Sequence, residues 1–298
     1  MGSVDSSSPE TKKLLKSPPV KFILDLVFPE LCQGCGIEGT YLCVPCQQKI
    51  TAPLSRCLSC GKPSLLGTTH LECRSREISL AGLMVAAEYE YRPVRDLVWH
   101  YKYSLVRDIG EILATILADY LVRNDLLDYF ETAAVVPVPL HDRRRRLRGF
   151  NQAELIAYHL SRKFGFSYLP ILKRIKPTPS QVELPREERL NNVRGVFAAE
   201  PTPSLGERKI ILIDDVATTG ATLNECAKVL MQGEPREIWG LVVARNSERW
   251  PSGLRQQFAK LRGPKRPLMG SNPILSALGE FQMVRGENPC LACESKTS

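Results

Sequence analysis

The stretch "IILIDDVATTGATL", Ile210–Leu223, decides how this chain is read. With Lys209 before it, "KIILID" has the continuous aliphatic run of a strand buried on both faces, and it ends in two adjacent carboxylates, Asp214 and Asp215. The loop "ATTGAT", Ala217–Thr222, carries small side chains and one glycine. A helix is expected from Ala221 to Leu230, with Leu223, Cys226, Ala227 and Leu230 on one face. Parallel sheets present their ligand sites where a strand ends and feeds a helix. Backbone N–H groups of such a loop reach a phosphate closely, and the helix aims its positive end at the same point. Thr218, Thr219 and Thr222 add hydroxyl donors. The carboxylates would repel a phosphate, but they suit sugar hydroxyls or a magnesium ion. The stretch therefore reads as a site for a phosphorylated sugar, against the bland alternative of a polar turn without a ligand.

Strands and helices alternate on either side. "LAGLMVAAEYEY" (Leu80–Tyr91) reads as a strand, followed by two helices. Val94, Leu97, Val98 and Tyr101 share a face of the first; Ile109, Ile112, Leu113, Ile116 and Tyr120 share one of the second. "AAVVPVPL" (Ala133–Leu140) is a buried strand. "NQAELIAYHLSRKF" is a helix with Asn151 as N-cap, Glu154 in the capping-box position, and Ala153, Ile156, Ala157, Leu160 and Phe164 as its apolar stripe. "YLPILKRI" reads as a strand, Lys176–Arg194 as a long mobile loop, and "EIWGLVVAR" as the final strand. The alternation predicts a parallel α/β sheet flanked by helices.

Three stretches together resemble one family. "IILIDDVATTGAT" is similar to the phosphoribosylpyrophosphate (PRPP) loop of type I phosphoribosyltransferases, and lacks the lysine of a Walker loop. "VVPVPLHDRRRRLRGFNQAELIA" (Val135–Ala157) and "PSQVELPREERLNNVRGVF" (Pro179–Phe197) resemble the competence-related ComF family. The resemblance covers about residues 22–245 and not the tail. It implies a type I phosphoribosyltransferase-like domain behind a double zinc ribbon. It also implies that Asp214 and Asp215 contact the ribose hydroxyls, as catalytic and PRPP-binding residues, while Ala217, Thr218, Thr219, Gly220, Ala221 and Thr222 hold the 5′-phosphate. Magnesium would come with PRPP.

Ten cysteines are unevenly spread, seven of them between Cys32 and Cys73, as expected of metal sites in a cytosolic chain. Cys32 and Cys35 form one C-x-x-C knuckle, and Cys43 and Cys46 another; two knuckles complete a closed tetrahedral zinc site, with Gly34 and Gly36 suited to the tight turns. Cys57 and Cys60 open a second unit, which "HLEC" completes with His70 and Cys73. The family would normally offer cysteine where His70 stands, and imidazole is an ordinary zinc ligand. Cys290 and Cys293 have no partners nearby, and Cys226 is explained by core packing.

"HDRRRRLRGFNQ" places Arg143, Arg144, Arg145, Arg146 and Arg148 after a strand end. The resemblance to type I phosphoribosyltransferases implies a pyrophosphate loop here; the residues also read as a grip on nucleic-acid phosphates or as a solvated basic turn. Phe150 offers a ring for stacking on a base, although packing at the helix start explains it as well. "HYKYSLVRD" (His100–Asp108) is a second basic-aromatic stretch, expected to be helix surface and core.

The 298 residues, 43% hydrophobic and 24% charged, suit a soluble protein with one good-sized domain and a smaller one. The expected division is a disordered N-terminus (1–21), the double ribbon (22–77), the phosphoribosyltransferase-like domain (78–247) and a flexible basic tail (248–298). Net charge of +8 points to anionic partners. "VKFILDLVF" is too short to span a bilayer and "MGSVDS" is a weak myristoylation match, so a cytoplasmic protein is expected. The resemblance to the ComF family implies PRPP binding coupled to single-stranded DNA handling with DNA-uptake proteins; an active phosphoribosyltransferase with an unassigned acceptor base and a zinc-ribbon interaction scaffold are the other functions that fit.

Overall fold

The computed structural model describes residues 30–74, 78–176, 193–200 and 205–246. The N-terminal lead-in, most of the Lys176–Arg194 stretch and the tail with Cys290 and Cys293 lie outside the described residues. The central sheet has five parallel strands. From edge to edge they are β1 (Gly82–Glu88), β7 (Glu237–Arg245), β6 (Lys209–Ala217), β2 (Ala134–Pro137) and β3 (Ser167–Tyr168). A separate antiparallel pair joins β4 (Leu172–Arg174) to β5 (Phe197–Ala199). The helices are α1 (Val44–Gln48), α2 (Arg92–Trp99), α3 (Ile109–Arg123), α4 (Asp142–Arg148), α5 (Gln152–Phe164) and α6 (Ala221–Leu230). This is the parallel α/β sheet flanked by helices that the sequence predicts, preceded by a small cysteine-rich module.

Strand residues alternate between two apolar layers because successive side chains point to opposite faces. Ile211 and Ile213 pack in one layer with Leu97, Leu113, Leu117, Ile156 and Leu160. Ile210 and Leu212 pack in the other with Leu223, Cys226, Ala227 and Leu230. The four helical stripes expected from the sequence are thus buried, Tyr101 and Cys226 included, apart from Ile112 and Phe164, which are half-buried.

Two strand expectations change. β6 does not stop at the carboxylates: β7 continues beside it, and Asp214 pairs with Val242, Val216 with Ala244 and Ala217 with Arg245. "YLPILKRI" divides at Pro170, which has no N–H to carry a ladder; Tyr168 stays in the main sheet while Leu172 joins the small one. Asn151 caps α5 as expected, accepting from Ala153 N at 3.1 Å. Glu154 accepts from Arg145 at 3.3 Å.

The two halves of the cysteine-rich module repeat one turn. Cys32 N donates to Ile37 O and Gly36 N to Cys32 O; Cys57 N donates to Lys62 O and Gly61 N to Cys57 O. The module covers the free edge of β1, where Thr68 bridges Gly82 and Thr69 N donates to Ala81 O. An unpaired sheet edge is thereby closed. No helix among the described residues is long and apolar enough to cross a membrane.

Candidate phosphosugar site and metal centres

Asp214 and Asp215 lie near the carboxyl end of β6, and strand alternation sends their side chains to opposite faces. Asp215 follows Ile211 and Ile213 towards α2 and is buried, 6% exposed. There Lys102 Nζ meets Asp215 Oδ1 at 3.0 Å. Asp214 is half-buried on the other face, where Arg174 and Cys226 feel its charge. Burial, then the Asp215 carboxylate, push Asp214 up to about 7, and Lys102 pulls against both. Burial opposes the Lys102 charge, but Asp215 and then Asp214 hold the ammonium above its ordinary value. The site therefore carries two carboxylates, of which Asp214 holds its proton unusually tightly, and one half-buried cation.

Beyond Val216 the backbone turns through Thr218 and Thr219 to Gly220 at φ +78°, a left-handed conformation that favours glycine. α6 begins at Ala221, and Gly220 brings no side chain to cap it. Ala221 N donates to Thr219 Oγ1 at 3.3 Å, while Arg245 Nε donates to Thr218 O at 3.1 Å and fastens the loop to the end of β7. A second constraint comes from the cysteine-rich module. A Cβ at Gly220 would lie 2.5 Å from Leu58 Cδ1, so Leu58, inside the Cys57–Cys60 knuckle, rests directly on the turn of the loop. Ser79 N also donates to Asn224 Oδ1 on α6, at 2.9 Å.

The metal-ligand candidates gather in two groups, as expected. Cys32, Cys35, Cys43 and Cys46 form one, and Cys57, Cys60, His70 and Cys73 the other, with ligand atoms all within 4.8 Å of one another in each. Cys35 and Cys43 sulfurs are 3.6 Å apart, and Cys60 Sγ is 3.3 Å from His70 Nδ1. A Cβ on Gly34 would fall 2.6 Å from Cys46 Sγ, so the first knuckle needs glycine to let the sulfurs converge. Burial raises the Cys32 thiol, but N–H groups of Cys43, Cys35 and Gly34 bring it down to about 6. Burial likewise raises Cys57, and N–H groups of Cys60, His70 and Ser59 lower it to about 7. Four soft or borderline donors converging on one point fit zinc. The first group would hold it by four thiolates and the second by three and an imidazole, supplying a structural cross-link.

The arginine run is a short helix rather than a turn. His141 caps it, its Nδ1 accepting from Arg143 N at 3.2 Å. Arg144 and Arg148, one turn apart, are half-buried on one face; Arg143, Arg145 and Arg146 are exposed, and Arg145 pairs with Glu154. Phe150 is buried against Tyr101, with ring centroids 5.5 Å apart, and lies beneath Arg107; it packs the helix start and offers no free face. Two contributors escaped the sequence reading. Lys102 sits within "HYKYSLVRD", and only the fold brings it to Asp215. Leu58 lies between two expected metal ligands and carries no chemistry of its own.

No family model matches the chain. It is similar to competence protein F of Haemophilus influenzae, 33% identical over 222 residues that make up 72% of this chain and 95% of that relative. Similar too are the DNA utilization protein YhgH of Escherichia coli, 29% identical over 72% of this chain and 98% of the relative, and competence protein ComFC of Bacillus subtilis, 30% identical over 64% and 77%. A purine phosphoribosyltransferase structure from Pyrococcus horikoshii aligns with 45% of the chain and 91% of its own length at 15% identity and TM-score 0.27.

Proposed function

Since the chain belongs to the family of competence protein F and ComFC, we propose that it binds a phosphorylated ribose, PRPP in the first instance, and handles single-stranded DNA in DNA uptake. One observation carries the first half: a parallel strand delivers Asp214 and Asp215 to a left-handed glycine turn at the start of α6, with Lys102 as counter-charge. Asp214 accepts from a sugar hydroxyl, and Asp215, on the opposite face and paired with Lys102, holds the strand end that presents it. The turn from Ala217 to Thr222 and the first N–H groups of α6 take the 5′-phosphate, where the helix dipole favours an anion. Magnesium travels with the diphosphate, held by its oxygens and water.

The DNA half draws on the relatives named for competence and DNA utilization and on the basic helix beside the site. Arg144 and Arg148 present two guanidinium groups one turn apart, and backbone phosphates suit such a pair. Calorimetry with PRPP and magnesium, repeated with a single-stranded oligonucleotide, tests both halves. Binding of neither ligand by zinc-loaded protein would overturn the reading.

A further inference from the structure

The turn that carries Lys102 also presents aromatic rings. α2 ends at Trp99, and the chain widens into a π-turn over His100–Ser104 that closes at Leu105, φ +59°. Such turns recur at functional sites because they redirect side chains that an α-helix would keep in line. Here Tyr101 is fully buried and Lys102 reaches Asp215, whereas Trp99 and Tyr103 remain 52% and 58% exposed. Their centroids are 5.7 Å apart with the planes tilted by 43°, so the rings do not cover each other face to face. His100 stands edge-on to Trp99 at 5.2 Å. Arg148 Cζ lies 6.0 Å from the Tyr103 centroid, which joins the aromatic pair to the arginine face of α4. Burial, then the neighbouring Arg148, lower the Arg144 pKa.

We infer that Trp99 and Tyr103 form a stacking platform for the bases of a single DNA strand whose phosphates lie along Arg144 and Arg148. The charge beside the rings selects the occupant. An acidic peptide meets the guanidinium groups but brings no regular series of π-faces, while a nucleic acid strand offers both a π-face for each ring and an anion for each guanidinium. The inference rests on the proposed DNA binding and adds the element that senses bases rather than charge. It does not require the sugar-phosphate site to be filled.

The test uses the full zinc-loaded chain and fluorescence anisotropy with two labelled probes of equal length, oligo-dT and an abasic tetrahydrofuran strand. The platform predicts that oligo-dT binds more tightly. Trp99→Leu with Tyr103→Leu, which keeps apolar bulk without a π-face, should weaken oligo-dT about a hundredfold, to the level of the abasic strand, at about tenfold for each of the two stacked bases. Abasic affinity and PRPP affinity should stay where they were. Equal wild-type affinity for the two probes, or a base preference that survives the double variant, would overturn the platform while leaving charge-driven DNA binding standing. Failure of both probes to bind overturns the platform together with the DNA half of the proposed function.

Discussion

Lys102 Nζ stands 3.0 Å from Asp215 Oδ1, the lysine side chain 23% and the aspartate 9% exposed. Two elements far apart in the chain, a π-turn and the end of β6, thus meet in one ion pair. Adjacent carboxylates repel, and a buried one needs a partner. Lys102→Met removes that partner, and loss of one side of a buried pair costs about 3 kcal/mol. Urea unfolding should show a loss of that order, with PRPP affinity falling as well. Lys102→Arg should restore much of both.

Asp214 predicts a pH dependence. Its folded value of about 7 is above the ordinary 3.8, so the folded protein holds this proton more tightly than the unfolded chain. Its contribution to stability is therefore full below about pH 4 and is lost as pH rises through 7. Ligand binding runs the other way, because a sugar hydroxyl needs the ionised carboxylate. PRPP affinity should rise between pH 5.5 and 7.5 and then level off. Asp214→Asn should flatten that rise beyond what the ligand's own phosphate titration gives.

Metal and phosphate sites should be coupled through Leu58. Metal analysis of purified protein should give about two zinc ions per chain, from the two ligand groups. Cys60→Ser should lose one ion and weaken PRPP binding, since Leu58 no longer holds the Gly220 turn. Leu58→Ala should keep both ions and still lower PRPP affinity severalfold. Cys35→Ser should unfold the first knuckle, where metal binding supplies most of the folding energy.

The arginines should not act equally. Arg144→Ala with Arg148→Ala should reduce the slope of log K against log salt for single-stranded DNA by roughly 1.4, or about 0.7 for each phosphate contact. Arg145→Ala, whose side chain is already paired with Glu154, should change it less. If PRPP affinity falls instead and the DNA slope does not move, the helix faces the diphosphate.

Local pattern carried the sheet and its helices into the sequence reading. The aliphatic run before Asp214, the stripe from Ala153 to Phe164 and the N-cap at Asn151 each follow from contacts within one element. The cysteine groups were legible because ligand spacing is itself local, and His70 joined its group despite departing from the family pattern. The end of β6 was not legible: its length depends on β7 beside it, and the carboxylates lie within the paired strand. The same holds for Lys102 and Leu58, whose roles exist only once distant segments pack together. Tyr103 was visible as a residue, but its exposure was set by a π-turn that no periodicity announces.

The account stands most directly on the strand-borne carboxylate pair. Titration of PRPP with magnesium into the zinc-loaded chain should give saturable one-site binding. Asp214→Asn with Asp215→Asn should abolish it; the thermal transition falls, because Lys102 loses its partner, but stays cooperative, and the zinc content is unchanged. Undiminished PRPP affinity in that double variant would contradict the account.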